Sequence, residues 1–257
     1  MSSSGETLPE SPLISHLLEL RDRLIRSFLV VLVVFAPCAY FKNEIFAAIS
    51  KPLLEKLPAG ATLIATSVVS PFMTPFKLAF FVALFLAMPY LLYQAWAFVA
   101  PGLYRREKRF AIPLVVSSIV LFYTGVAFAY FLVFPVMFQF FAQTVPKGVA
   151  LMADISIYMD FVLTLFLAFG AAFEVPVAVV LLVLSGLVSL EKLKAARGYV
   201  LIGIFVIAAF LTPPDAISQC IMAIPMYLLY EGGLLMARLA ARQPLQPHSG
   251  TAPRGRI

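Results

Sequence analysis

Glu174 sits inside Phe161–Leu184, FVLTLFLAFGAAFEVPVAVVLLVL, 24 residues with no other charge. An ionised carboxylate at the middle of a lipid-spanning helix costs roughly 2.5 to 3.5 kcal/mol even on the lenient insertion scale, so Glu174 has to face protein, a wet cavity or a partner. A proton or ion site, a partner-binding group and a neutral, hydrogen-bonded packing residue all meet that demand. Pro176 frees a backbone carbonyl and kinks the helix, which makes a polar, bent midplane compatible with each of them. Glu107 stands alone among Arg105, Arg106, Lys108 and Arg109, where a carboxylate is neutralised by its neighbours. Glu19 lies four residues before Arg23, an i,i+4 spacing that pairs them on a helix. Asp215 follows two prolines, where it suits a helix N-cap, and Gln219 one turn later can hydrogen-bond between helices. The only histidines are His16 and His248, near the two ends, so a zinc site or a histidine-based hydrolase lacks its parts. There is no P-loop and no glycine-rich dinucleotide motif, so the expectation is a non-enzymatic protein with no cofactor and no metal.

The elements that carry these groups follow from composition. The 257 residues are 62% hydrophobic and 12% charged, and mean hydropathy is +0.97, far from the range of soluble domains. The chain is therefore expected to be an all-α polytopic membrane protein. The net charge of +6 does not argue for nucleic acid, because the basic residues form short clusters beside apolar runs. Cys38 and Cys220 both fall inside expected spans, where a thiol packs as a small hydrophobe. The first 20 residues lack the basic region and cleavage site of a signal peptide, so the amino terminus is expected to be retained.

Residues 1–10 read as a disordered tail, 11–238 as one six-span membrane domain and 239–257 as a disordered cytoplasmic tail. Ser11 and Pro12 cap a helix whose Leu13, Leu17, Leu20 and Leu24 recur at helical spacing, with Asp22 and Arg26 offering a second i,i+4 pair. That interfacial helix feeds a first span over about Leu24–Phe41. The second is expected over Leu78–Ala100 and the third over Ala111–Phe134, with room to continue past Pro135 toward Ala142. The fourth carries Glu174 and is closed by Gly186 and the stretch Leu190–Arg197. The last two read as short: Tyr199–Leu211 is 13 residues, about 20 Å of helix, and Thr212-Pro213-Pro214-Asp215 stops it before Ala216–Ala237 returns. Six spans put both termini on one side. Fourteen of the 19 Lys and Arg residues fall on that side and five on the other, so both termini are expected to be cytoplasmic.

Taken together, HLLELRDRL (16–24), SPFMTPFK (70–77), YQAWAFVAPGLYRREKR (93–109), PLVVSSIVLFYTGVAFAYFLVFP (113–135), FGAAFEVPVAVVLL (169–182) and LTPPDAISQ (211–219) resemble the TatC family, the multispanning component of the twin-arginine protein translocase. The resemblance runs in order from about Pro12 to Arg238. It implies a receptor in the bacterial cytoplasmic (inner) membrane that binds twin-arginine signal peptides and exports folded proteins on the proton-motive force. The partners it implies are TatA and TatB, single-span proteins, with several copies of the chain in the complex.

Carried over by residue, the resemblance puts signal binding on Glu19 and Glu107, with Leu20, Arg21, Phe98 and Pro101 beside them. It puts a partner-helix patch on Thr212, Asp215 and Gln219, and makes Glu174 a second candidate for a partner's polar group. A guanidinium is a planar, permanently charged fork that suits a carboxylate, which a lysine does not reproduce. The net-positive loop around Glu107 is an odd host for a dicationic ligand, so its basic residues are expected to face lipid phosphates while Glu107 turns toward Glu19. Where relatives carry an acidic residue in the first outer loop, this chain has Ser67. The alternative reading is a proton-coupled small-molecule transporter using Glu174, which predicts solute flux by this chain alone. A membrane-embedded enzyme is a third reading, without an identifiable nucleophile and base.

Overall fold

The computed structural model describes residues 12–54, 62–99, 108–144, 152–212 and 216–241. Helix α1 (Pro12–Tyr40) joins the amphipathic stretch and the first apolar run without a break, so the interfacial helix expected to feed the first span is the first three turns of one 29-residue helix. Helix α2 (Lys42–Leu54) follows, then strand β1 (Thr62–Ile64) and α3 (Ser70–Val99). Helix α4 (Lys108–Phe128) passes through a π-helical turn, Ala129–Val133, into α5 (Phe134–Thr144). The wider turn falls just before Pro135, which has no N–H to give to the ladder.

Strand β2 (Met152–Asp154) leads into α6 (Ile155–Ala172) and α7 (Val175–Leu184). Gly186, at φ 73°, closes α7 in the left-handed conformation. Helices α8 (Leu190–Ala195), α9 (Arg197–Leu211) and α10 (Ala216–Ala241) complete the described chain.

Five of these stretches are long and apolar enough to cross a membrane: Ile14–Tyr40, Ser70–Phe98, Ile112–Phe140, Ile155–Leu184 and Ala216–Ala240. One expectation is corrected. Only α9, at 15 residues, is short; the final helix runs for 26, because the apolar stretch extends through Arg238 on both sides of its glycines. The fold is all-α, with one short strand pair beside the helices. Strands β1 and β2 pair in parallel, Thr62 against Met152 and Ile64 against Asp154, and three residues each are too few to show a strand period in sequence.

The main core gathers around α6, where Val162, Phe166 and Phe169 meet Phe134 and Met137 from one side and Ala208, Met222 and Met226 from the other. Val179 of α7 packs with Tyr230 and Leu234 of α10 in a second cluster. Helix α1 is peripheral, seated on α3 through Cys38, Ala79 and Ala83.

Asp154 closes the strand pair onto α6. Its Oδ1 accepts from the Ser156 and Ile157 amides as an N-cap, and its Oδ2 accepts from the Thr66 hydroxyl at 2.5 Å and the Thr66 amide at 2.9 Å. Those donors, the Thr66 hydroxyl first, favour the carboxylate and hold its pKa down to about 2. A carboxyl depressed in the folded state contributes stability that is complete above its unfolded pKa and lost as pH falls through the folded one. The Thr66 amide resonance is therefore expected to hold steady down to about pH 4 and to titrate with a midpoint near 2, and in Asp154→Ala the step should vanish.

Candidate functional site

His16, Glu19 and Arg23 lie three and four residues apart on α1, and Tyr90, Gln94 and Phe98 four apart on α3, so each set forms a stripe on one helix face. The two stripes meet antiparallel. The His16 ring stacks on Phe98 with centroids 4.3 Å apart and planes 9° from parallel. Arg23 donates through Nε and Nη2 to Glu19 Oε1 at 3.0 and 2.6 Å, and through Nη1 to Gln94 Oε1 at 2.8 Å. Gln94 is buried, and its Nε2 donates to the Tyr90 hydroxyl at 2.7 Å. Glu19 Oε2 has His16 Nδ1 at 3.9 Å.

The outcome is an exposed carboxylate, with 43% of its side chain accessible, on a platform fixed by two helices. Leu20 is half-buried beside it. Arg21 is exposed and turned to Asp22, on whose Oδ1 both Nε (3.1 Å) and Nη2 (2.9 Å) converge, so Asp22 takes Arg21 where the spacing offered Arg26. Glu107 and Pro101 lie outside the described residues, as does the expected turn of Glu107 toward Glu19. The pairing of Glu19 with Arg23 was legible from spacing. Gln94 and Tyr90 were missed; a glutamine within an otherwise apolar span was the available signal.

Glu174 occupies the break between α6 and α7. Its amide reaches Ala171 O at 3.1 Å in a tightened turn, and Pro176, in the first turn of α7, cannot extend the ladder of α6. The carboxylate turns toward α4, where the Ser118 hydroxyl donates to Oε2, and Trp96 of α3 donates Nε1–H to Ser118 Oγ at 2.7 Å. Glu174 Oε1 is buried and has no hydrogen-bond partner among the described residues. One polar chain thus ties α3, α4 and the α6–α7 break together. Ser118 and Trp96 carried no sequence signal beyond being polar groups in apolar runs.

The third set is only partly assembled. Thr212 is buried and its hydroxyl donates to Ala208 O at 2.9 Å, capping its own helix rather than facing outward. Gln219 is half-buried in the first turn of α10, and Asp215 lies outside the described residues. At the other end of these helices, Arg197 Nη2 and the Tyr227 hydroxyl both donate to Glu231, at 2.7 and 2.9 Å, and clamp α9 to α10.

The profile of the family described as Sec-independent protein translocase protein (TatC) matches residues 15–225, which take in most of α1, all of α3 and the Glu174 break. The chain belongs to the TatC family. Among TatC relatives, one from Azotobacter chroococcum mcd 1, named Sec-independent protein translocase protein TatC, is 53% identical over 254 residues, 98% of this chain and 99% of the relative. The protein of that name from Escherichia coli K12 is 54% identical over 227 residues, 88% of each. A crystal structure of the twin arginine translocase receptor TatC superposes with a TM-score of 0.80 at 38% identity, covering 88% of this chain and 100% of that one. With these TatC relatives and its five long apolar helices, the chain is a multi-pass membrane protein.

Proposed function

We propose that this chain is the receptor core of a twin-arginine translocase, binding a signal peptide's paired arginines at Glu19 and Glu107. The observation that carries the reading is the state of Glu19: an accessible carboxylate on a rigid two-helix platform, already in the geometry that a guanidinium takes. Phe98, stacked on His16, supplies an apolar wall beside it, and Leu20 supplies a second. Glu107, one residue before α4, brings the second carboxylate, and two pairs give register as much as affinity.

In this reading α9 is the short fifth of six passes, both termini are cytoplasmic, and the chain resides in the bacterial inner membrane. Residues 11–238 form the membrane domain between two tails. TatA and TatB dock their single helices near Thr212, Asp215 and Gln219, or against Glu174, and several copies assemble. Transport is driven by the proton-motive force, with no chemical step on the protein.

The test is export of a folded reporter carrying a twin-arginine signal, in cells where this chain is the only protein of its kind. Glu19→Ala and Glu107→Ala, at matched membrane levels, are expected to lower signal binding about tenfold or more and export with it, the loss of one charge-assisted contact. Undiminished binding in both variants would remove the carboxylate site. Failure of the native chain to export with its partners supplied would bring forward the proton-coupled transporter.

A further inference from the structure

We propose that Arg23 is a specificity-determining residue: it is the resident guanidinium of the Glu19 carboxylate, and a signal's arginine has to take that carboxylate over from it. The proposal rests on the reading of Glu19 as a signal-binding group. Arg23 places two N–H groups on one oxygen, Oε1, and leaves Oε2 with only His16 Nδ1, at 3.9 Å, among the described residues. An i,i+4 pair on an exposed helix face is ordinarily weak and easily parted. This one is held from a second helix. Nη1 donates to the buried Gln94, 71 residues away, and Gln94 is itself fixed by the Tyr90 hydroxyl. With its third N–H anchored on α3, Arg23 lies across Glu19 with most of its side-chain freedom already lost, which makes it a more effective occupant than a free surface arginine.

The two cations that a signal can present meet this occupant differently. An arginine brings a planar fork that replaces the resident N–H groups bond for bond. A lysine brings one compact, strongly hydrated charge without the fork, and it meets a like charge that does not yield. Arg23 therefore weakens both ligands and weakens lysine more. Discrimination resides in the occupant as well as in the carboxylate.

The experiment compares a signal peptide bearing two adjacent arginines with its two-lysine counterpart, each titrated onto the full-length protein in nanodiscs. Arg23→Met keeps the apolar stem and removes the fork. It is expected to tighten the lysine peptide about fivefold, the effect of releasing one exposed ion pair, and the arginine peptide less, so that the preference for arginine shrinks. Gln94→Leu leaves Arg23 in place but cuts its anchor, and should move the same ratio in the same direction by a smaller step; it carries the test if Arg23→Met does not fold.

Equal weakening of both peptides, or an unchanged ratio in both variants, would make Arg23 a packing residue and overturn the proposal. If instead Glu19→Gln binds the arginine peptide as tightly as the native protein, the Glu19 reading itself fails, and the role of Arg23 falls with it.

Discussion

Gly125→Ala is expected to destabilise the protein by about 3 kcal/mol, enough to leave little folded material in the membrane, whereas Gly170→Ala should cost about 1 kcal/mol. Both glycines lie where α4 crosses α6, and both would gain a Cβ at a distance that real atoms do not tolerate. At Gly125 it would meet the Phe169 carbonyl oxygen at 2.5 Å and the Phe173 ring at 2.9 Å. A backbone oxygen cannot step aside without moving the helix. At Gly170 the nearest atoms belong to the outer edge of the buried Phe122 ring, at 2.6 and 2.8 Å, and a side chain repacks at lower cost than a helix backbone moves. This crossing also positions Glu174, because Ser118 lies two turns before Gly125 and Glu174 one turn after Gly170. Forcing the helices apart separates the carboxylate from its donor. Thermal unfolding of the two variants in one detergent decides the matter, and equal losses would show that the carbonyl contact does not set the spacing.

The second large effect concerns the polar chain at the break. Ser118→Ala is expected to cost about 2 kcal/mol, because it leaves the Glu174 carboxylate and the Trp96 N–H buried without the hydroxyl that joins them. Glu174→Leu should be close to neutral for stability, since it removes the group that is expensive at this depth and leaves Trp96 bonded to Ser118. Export should then separate from stability, with Glu174→Leu folded but impaired if this carboxylate meets a partner's polar group. Unfolding of Glu174→Leu at a lower temperature than Ser118→Ala would contradict this ordering.

Much of the architecture was legible in the sequence because lipid imposes a long apolar period that few other environments require. The Glu174 run, its break near Pro176 and the brevity of α9 all follow from local residues. The expectation that α10 is short did not hold: its expected span, Ala216–Ala237, already passed through Glu231, Gly232 and Gly233, and the helix continues to Ala241. Glu231 is tolerated there because Arg197, 34 residues earlier, neutralises it. The strand pair escaped for a similar reason, since it joins segments about 90 residues apart.

At the candidate site the split is the same. Glu19 and Arg23 are neighbours by helical spacing, so one helix suffices to predict them. Gln94, which turns that pair into a fixed platform, is brought by the packing of α3 on α1; a lone glutamine in an apolar span marks the residue but not its partner.

A cysteine map of a twin-arginine signal on this chain tests whether Glu19 receives the arginines. Cys38 is buried and Cys220 exposed, so Cys220→Ser gives a quiet background. A cysteine beside the paired arginines of the signal is then offered to Leu20→Cys next to Glu19, and to Ile217→Cys at the exposed start of α10. A disulfide forms only where the Cα atoms come within about 7 Å. The expected result is a cross-link at Leu20→Cys, lost when Glu19→Ala is added, and none at Ile217→Cys. Equal cross-linking at both positions, or a Leu20→Cys product that survives Glu19→Ala, would contradict the claim that the Glu19 carboxylate receives the arginines.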